Sequence, residues 1–86
     1  ISITRSLALV LAPDVRVNSI APGVVTTRWV EGHDDHIRNF AKATPFGRAA
    51  TPEDVAEATW ALVSGGQFIT GQTLVVDGGW SLNGIL

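Results

Sequence analysis

The sequence predicts an α/β fold built on a parallel sheet, and three observations carry that prediction. A helical stripe, Ile3, Leu7, Val10 and Leu11, is followed after a proline by a short β-branched run at Val15–Ile20. A second helix opens at Thr51-Pro52, and a second such run follows it at Thr73–Val76. Helices standing between strands favour parallel pairing through a right-handed crossover.

The elements follow in order. The i, i+4, i+7, i+8 spacing of Ile3, Leu7, Val10 and Leu11 marks one helix face, and Pro13-Asp14 ends the helix because proline cannot continue the backbone ladder. Ile1-Ser2-Ile3 reads as the inside of a helix without a capping side chain, so the expectation is that this helix begins upstream. Val15–Ile20 is expected as a strand, and Ala21-Pro22-Gly23 as the turn that breaks it. Val24 to Thr27 is a second, very short extended piece. Asp34 to Lys42 reads as a polar helix anchored by Ile37 and Phe40 and closed by Pro45-Phe46-Gly47.

Thr51-Pro52-Glu53-Asp54 is a helix start. Thr51 caps, Pro52 suits the first position, and the two carboxylates meet the positive end of the dipole. Val55, Thr59, Leu62 and Val63, with Ala56 and Trp60 beside them, are its expected buried face, and Gly65-Gly66 its stop. Two strands do not make a stable sheet alone, so this order of elements calls for further strands.

Bulk properties exclude several classes. With 45% hydrophobic and 16% charged residues the chain is globular in balance rather than disordered. A net charge of −2 provides no electrostatic footprint for nucleic acid or an anionic membrane. The apolar run Leu7 to Ala12 is far shorter than the roughly 20 residues that span a bilayer. The chain has no cysteine, hence no disulfide or thiolate metal site. That composition fits a cytoplasmic protein.

Candidate functional residues cluster after the first strand. Asn18-Ser19-Ile20-Ala21-Pro22-Gly23 places a Pro-Gly at the carboxyl edge of a sheet, where open α/β folds bind ligands and where glycine lets backbone approach closely. A plain turn is the bland alternative. Thr26 and Thr27 carry hydroxyls suited to an amide or phosphate, or serve as ordinary strand threonines. His33-Asp34-Asp35-His36 is either a metal cluster lacking a rigid third ligand or a solvated polar face. Arg48 is set to pair with Glu53 or Asp54, and Trp29, Trp60 and Trp80 read as packing residues. Asp77-Gly78-Gly79 is either a turn after the last strand or part of a subunit or cofactor edge. The chain has no tyrosine, and Lys42 is its only lysine.

Taken in register, three segments resemble the classical short-chain dehydrogenases/reductases: Arg5-Ser6-Leu7-Ala8-Leu9 with Arg16 to Gly23; Pro45-Phe46-Gly47-Arg48 with Thr51 to Ala56; and Ile69 to Trp80. The resemblance covers essentially the whole chain. It implies the C-terminal part of a Rossmann-like, doubly wound parallel sheet, with residues 1–86 forming one segment of a single NAD(P)-binding domain and a substrate loop at about 28–46. By that resemblance Pro22 and Gly23 lie at the nicotinamide end of the cofactor. The backbone of Val25 meets the carboxamide, and the Thr27 hydroxyl contacts the same region. Gly78 and Gly79 are expected near a subunit interface in a dimer or tetramer.

The implied activity is hydride transfer between NAD or NADP and a carbonyl or alcohol substrate, such as a 3-oxoacyl thioester or a sugar-type alcohol. The family's catalytic serine, tyrosine and lysine have no counterparts in this chain, which is therefore expected to be inactive alone. The competing reading is a non-catalytic, dimerising interaction module.

Overall fold

The computed structural model describes residues 1–26 and 34–83. In chain order it has α1 (Ser2–Leu11), β1 (Ser19–Pro22), α2 (Asp34–Ala43), α3 (Pro52–Ser64) and β2 (Thr73–Val76), then a short 3-10 helix at Trp80–Leu82. The strands pair in parallel, Ser19 beside Thr73 through Pro22 beside Val76. The α/β class and the parallel pairing are those the sequence predicts.

The first strand lies further along the chain than expected. It occupies Ser19–Pro22 rather than Val15–Ile20 and runs through Ala21-Pro22 instead of turning there. The cause is its partner. β2 starts only after Gly71, whose φ of 73° suits glycine, so the residues before Ser19 have no strand to pair with. They are anchored instead by individual bonds. The Val17 N–H donates to Thr70 Oγ1 at 3.0 Å, the Gly71 N–H to the Val17 carbonyl at 2.7 Å, and the Gln72 N–H to Asn18 Oδ1 at 3.1 Å.

Arg16 bonds three carbonyls at once. Its guanidinium donates to the carbonyls of Leu62 (2.9 Å), Gly66 (3.0 Å) and Ile69 (3.3 Å), satisfying acceptors at the C-terminal end of α3 and in the turn after it.

Pro22 fits the strand for a geometric reason. The N–H groups of Ser19 and Gly23 both donate toward β2, to Gln72 O at 2.9 Å and Val76 O at 3.0 Å. Alternate residues of a parallel strand address the same neighbour. Ile20 and Pro22 therefore face the other edge, and the missing proline N–H costs the β1–β2 ladder nothing.

α3 starts as its sequence requires. Thr51 Oγ1 accepts from the Asp54 N–H at 3.2 Å while Asp54 Oδ2 accepts from the Thr51 N–H at 2.8 Å, a reciprocal capping box with Pro52 at the first turn. Val55, Ala58 and Leu62 form the half-buried row toward both strands. Thr59 and Val63, expected in that row, are exposed, as is Trp60 at 67%. A two-stranded sheet is too narrow to cover the helix's full apolar stripe.

The same holds for α1. Ile3, Leu7, Val10 and Leu11 stay exposed, and the helix touches the rest through Ala8, 3% accessible and packed near Gly71. Only a small side chain permits that approach. Among the described residues just Ala8, Ala49 and Thr44 are buried.

Candidate functional site

The carboxyl ends of β1 and β2 bring together four segments that are distant in sequence. Pro22 and Gly23 close β1, and Asp77 follows β2 directly. Gly23 is held there by its N–H bond to Val76. A Cβ built on Gly23 would stand 3.0 Å from Asp77 Cβ, 3.2 Å from Asp77 Cα and 3.2 Å from Phe40 Cζ. The glycine is thus required by the protein's own packing, because the backbone of Asp77 cannot give way.

Past Gly23 the chain makes a one-residue parallel bridge, Val25 beside Ala50. The Ala50 N–H donates to the Val24 carbonyl at 2.9 Å, and the Thr26 N–H donates to the Ala50 carbonyl at 2.8 Å. Thr26 Oγ1 donates to that same carbonyl at 3.2 Å. Such a bridge uses the polar groups that flank Val25 and turns the N–H and C=O of Val25 itself the other way. They are left as a donor and an acceptor side by side, the pattern that matches a carboxamide.

Ala50 is positioned by the start of α3. Arg48 sets both guanidinium nitrogens on the Asp54 carboxylate, at 2.6 and 3.3 Å, and also donates to the Ala49 carbonyl at 3.1 Å. The Arg48 hydrogen bond, with the Thr51 N–H next, holds the Asp54 carboxyl well below the usual carboxylate range. The pair is solvent-facing, so its contribution is chiefly geometric. Of the two partners foreseen for Arg48, the structure selects Asp54.

α2 sits above this edge. Thr44, 4% accessible, closes it by donating its hydroxyl to the Phe40 carbonyl at 2.7 Å. The Gly47 N–H donates to Thr44 O at 2.8 Å in the turn that follows, with Gly47 at a φ of 76°.

The segment after β2 grips the far end of α2. Asp77 accepts the N–H groups of Gly79 (3.0 Å) and Ser81 (2.9 Å), and its carboxyl lies below the ordinary range through its bonds with Ser81 and, further down, Gly79. Gly78 and Gly79 have φ values of 62° and 92° and no room for a Cβ, against Thr44 and Phe46 in one case and Pro45 in the other. Trp80 stacks on Phe40 with ring centroids 5.7 Å apart. Of the tryptophans read as packing residues, Trp80 makes this ring contact, whereas Trp60 projects outward.

Between these parts lies a cleft of about 260 Å³, walled by Gly23, Val24, Phe40 and Phe46, by Ala58 and Ala61 of α3, and by Val76, with Arg48, Asp54, Glu57 and Asp77 as its polar groups. Pro22, Gly23 and Val25 thus fall at one sheet edge. Thr27 and His33 lie outside the described residues. Among the described residues no cluster of three or more His, Asp or Glu side chains stands close enough to hold a metal ion. No described helix is long and apolar enough to cross a membrane. Ala50 and Trp80 belong to this site although sequence reasoning gave neither a part in it: Ala50 reaches Val25, and Trp80 reaches Phe40, through non-local contacts.

Known proteins resemble this chain in sequence and fold. Residues 1–81 match the family described as enoyl-(acyl carrier protein) reductase. The chain is 45% identical over 82 residues to the 3-oxoacyl-[acyl-carrier-protein] reductase FabG of Chlamydia pneumoniae, an overlap of 92% of this chain and 33% of that protein. It is 36% identical over 80 residues to the short-chain dehydrogenase/reductase homolog YusR of Bacillus subtilis, covering 93% of this chain and 61% of the relative. A small-chain dehydrogenase solved in complex with NADPH superposes with a TM-score of 0.83 at 31% identity, over 95% of this chain and 39% of that one.

The chain belongs to the short-chain dehydrogenase/reductase family. It spans about a third of the length of relatives such as FabG.

Proposed function

We propose that this chain is the nicotinamide-side part of an NAD(P)-dependent oxidoreductase acting on a carbonyl or alcohol substrate. The observation that carries the reading is Val25. Its bridge to Ala50 turns a backbone donor and acceptor outward together at the carboxyl edge of the sheet, beside Gly23. In open α/β folds that edge is where cofactors bind. When bound, the cofactor supplies or accepts a hydride. The residues here have a narrower task. Val25 holds and orients the carboxamide with its N–H and C=O, the Pro22-Gly23 strand end sets its height, and Thr27 adds a hydroxyl to the same region.

The general acid/base lies outside this chain, which has no tyrosine and a single lysine, Lys42, near the end of α2. We take the segment at about 28–46 as the substrate loop. A relative named as a 3-oxoacyl-[acyl-carrier-protein] reductase favours a 3-oxoacyl thioester over a sugar-type alcohol. We place the protein in the cytoplasm, which a chain without cysteine fits. The exposed Trp60, Val63, Phe68 and Val75 suit a homo-oligomer, dimer or tetramer.

The test is turnover by the full-length natural protein with NADPH or NADH and a short 3-oxoacyl thioester, followed through loss of reduced nicotinamide. Consumption of cofactor that depends on the thioester is expected. Neither turnover nor binding with either cofactor would leave the second reading, a non-catalytic dimerising module, which the exposed apolar side chains also favour.

A further inference from the structure

We infer that Phe40 and Trp80 are a positioning pair through which the segment after β2 sets the height of α2 above the Gly23–Val25 edge, and so governs admission of the substrate. The inference rests on the oxidoreductase reading.

Phe40 has two neighbours that matter. The tip of its ring reaches the space beside Gly23, 3.2 Å from where a Cβ would stand, and the ring stacks on Trp80. Phe40 therefore joins the candidate cofactor edge to the tail. Trp80 is in turn tied to the sheet. Asp77 follows Val76 of β2 without an intervening residue. Its carboxylate takes the Gly79 and Ser81 N–H groups, and its carbonyl accepts from the Trp80 N–H at 3.1 Å. The tail also grips α2 at its end: the Phe46 N–H donates to Gly78 O at 3.2 Å, and Asn83 Nδ2 donates to the Ala43 carbonyl.

Helix position is thus referenced to β2 through the tail. Among the described residues no helix or strand, the tail's 3-10 helix included, packs extensively on α2, so individual contacts such as the Phe40–Trp80 stack carry its position. The tail grips α2 at its C-terminal end, and the Phe40–Trp80 stack adds a contact further up the helix that bears on its angle. Phe40 and Phe46 also wall the cleft, so a change in that angle changes the cleft's width.

The experiment compares Trp80→Ala and Trp80→Phe in the full-length protein, with steady-state kinetics for both substrates. Trp80→Ala is expected to raise the KM of the 3-oxoacyl thioester about tenfold while the cofactor KM stays within about twofold. Trp80→Phe, which keeps a ring on Phe40, is expected to restore the parent value. A fall in stability with unchanged KM values, an equal rise in both KM values, or failure of Trp80→Phe to rescue would overturn the inference. If Trp80→Ala does not fold, Trp80→Leu is expected to give the same split, and its absence counts against the pair equally. If the parent turns nothing over, the oxidoreductase reading fails by itself, and hydrogen exchange then decides the clamp. Faster exchange of α2 amides in Trp80→Ala with β1 unchanged supports it; identical exchange rejects it.

Discussion

Replacing Gly23 by alanine separates two demands that a glycine in a ligand site can serve. The added Cβ would lie 3.0 Å from Asp77 Cβ and 3.2 Å from both Asp77 Cα and Phe40 Cζ. Carbon atoms prefer roughly 3.5–4.0 Å, so at least about 0.3–0.5 Å must be relieved against three atoms at once. The Phe40 ring can tilt, but Asp77 Cα is backbone and is held by the ladder through Val76. Overpacking of this kind costs about 1–3 kcal/mol. The assay is urea unfolding of the full-length protein without cofactor, compared for the parent, Gly23→Ala and Gly23→Ala/Phe40→Leu. The single variant should lose that amount with an unchanged m-value, and the double variant should recover only part of the Phe40 share. Parent-like unfolding of Gly23→Ala alongside weakened cofactor binding would refute the packing argument and leave ligand approach as the sole reason for the glycine.

Two further outcomes follow from the anchoring network. Arg16→Ala removes one half-buried charged hydrogen bond, to Leu62 O, and two more exposed ones, to Gly66 and Ile69. The first is worth about 2 kcal/mol and water replaces much of the others, so urea unfolding should show a loss near that size, only partly recovered by Arg16→Lys. Asp54 is held below the usual range in the folded protein by Arg48 and then by Thr51. Its folded pKa lies beneath the unfolded value, so its contribution is complete above an unfolded aspartate pKa of about 3.9 and is lost as pH falls through the folded value. The stability gap between parent and Asp54→Asn, measured by urea unfolding at stepped pH, should therefore narrow below about pH 4. A gap that stays constant into acid would rule out the ion pair as its source.

How much of this was legible in the sequence depends on how local the determining chemistry is. α3 could be read directly, because Thr51, Pro52 and Asp54 carry their instructions within one turn. β2 and α2 were readable for similar reasons. β1 was displaced because its limits are set by a partner strand half the chain away and by the side chains of Arg16, Asn18 and Thr70. No periodicity in Val15–Ile20 reports on these. The burial of Thr59 and Val63 on α3 was misjudged because an apolar stripe predicts only that something covers it. Within the site, the positions of Gly23 and Val25 were legible from the family resemblance. The reasons they are held there lie in Phe40, Asp77 and Ala50, whose juxtaposition exists only in three dimensions.

Pro22 has one more effect. Its ring stands on the side of β1 that faces away from β2, where an amide hydrogen would otherwise point. Any strand that aligns along that free edge can draw bonds as far as Ile20 and then finds no donor. Such a pair would unzip one step before β1 ends, and the two chains would be free to diverge just where Gly23 begins. A missing hydrogen at the last position of a strand is thus a way to pry open a sheet at one end while leaving the rest closed.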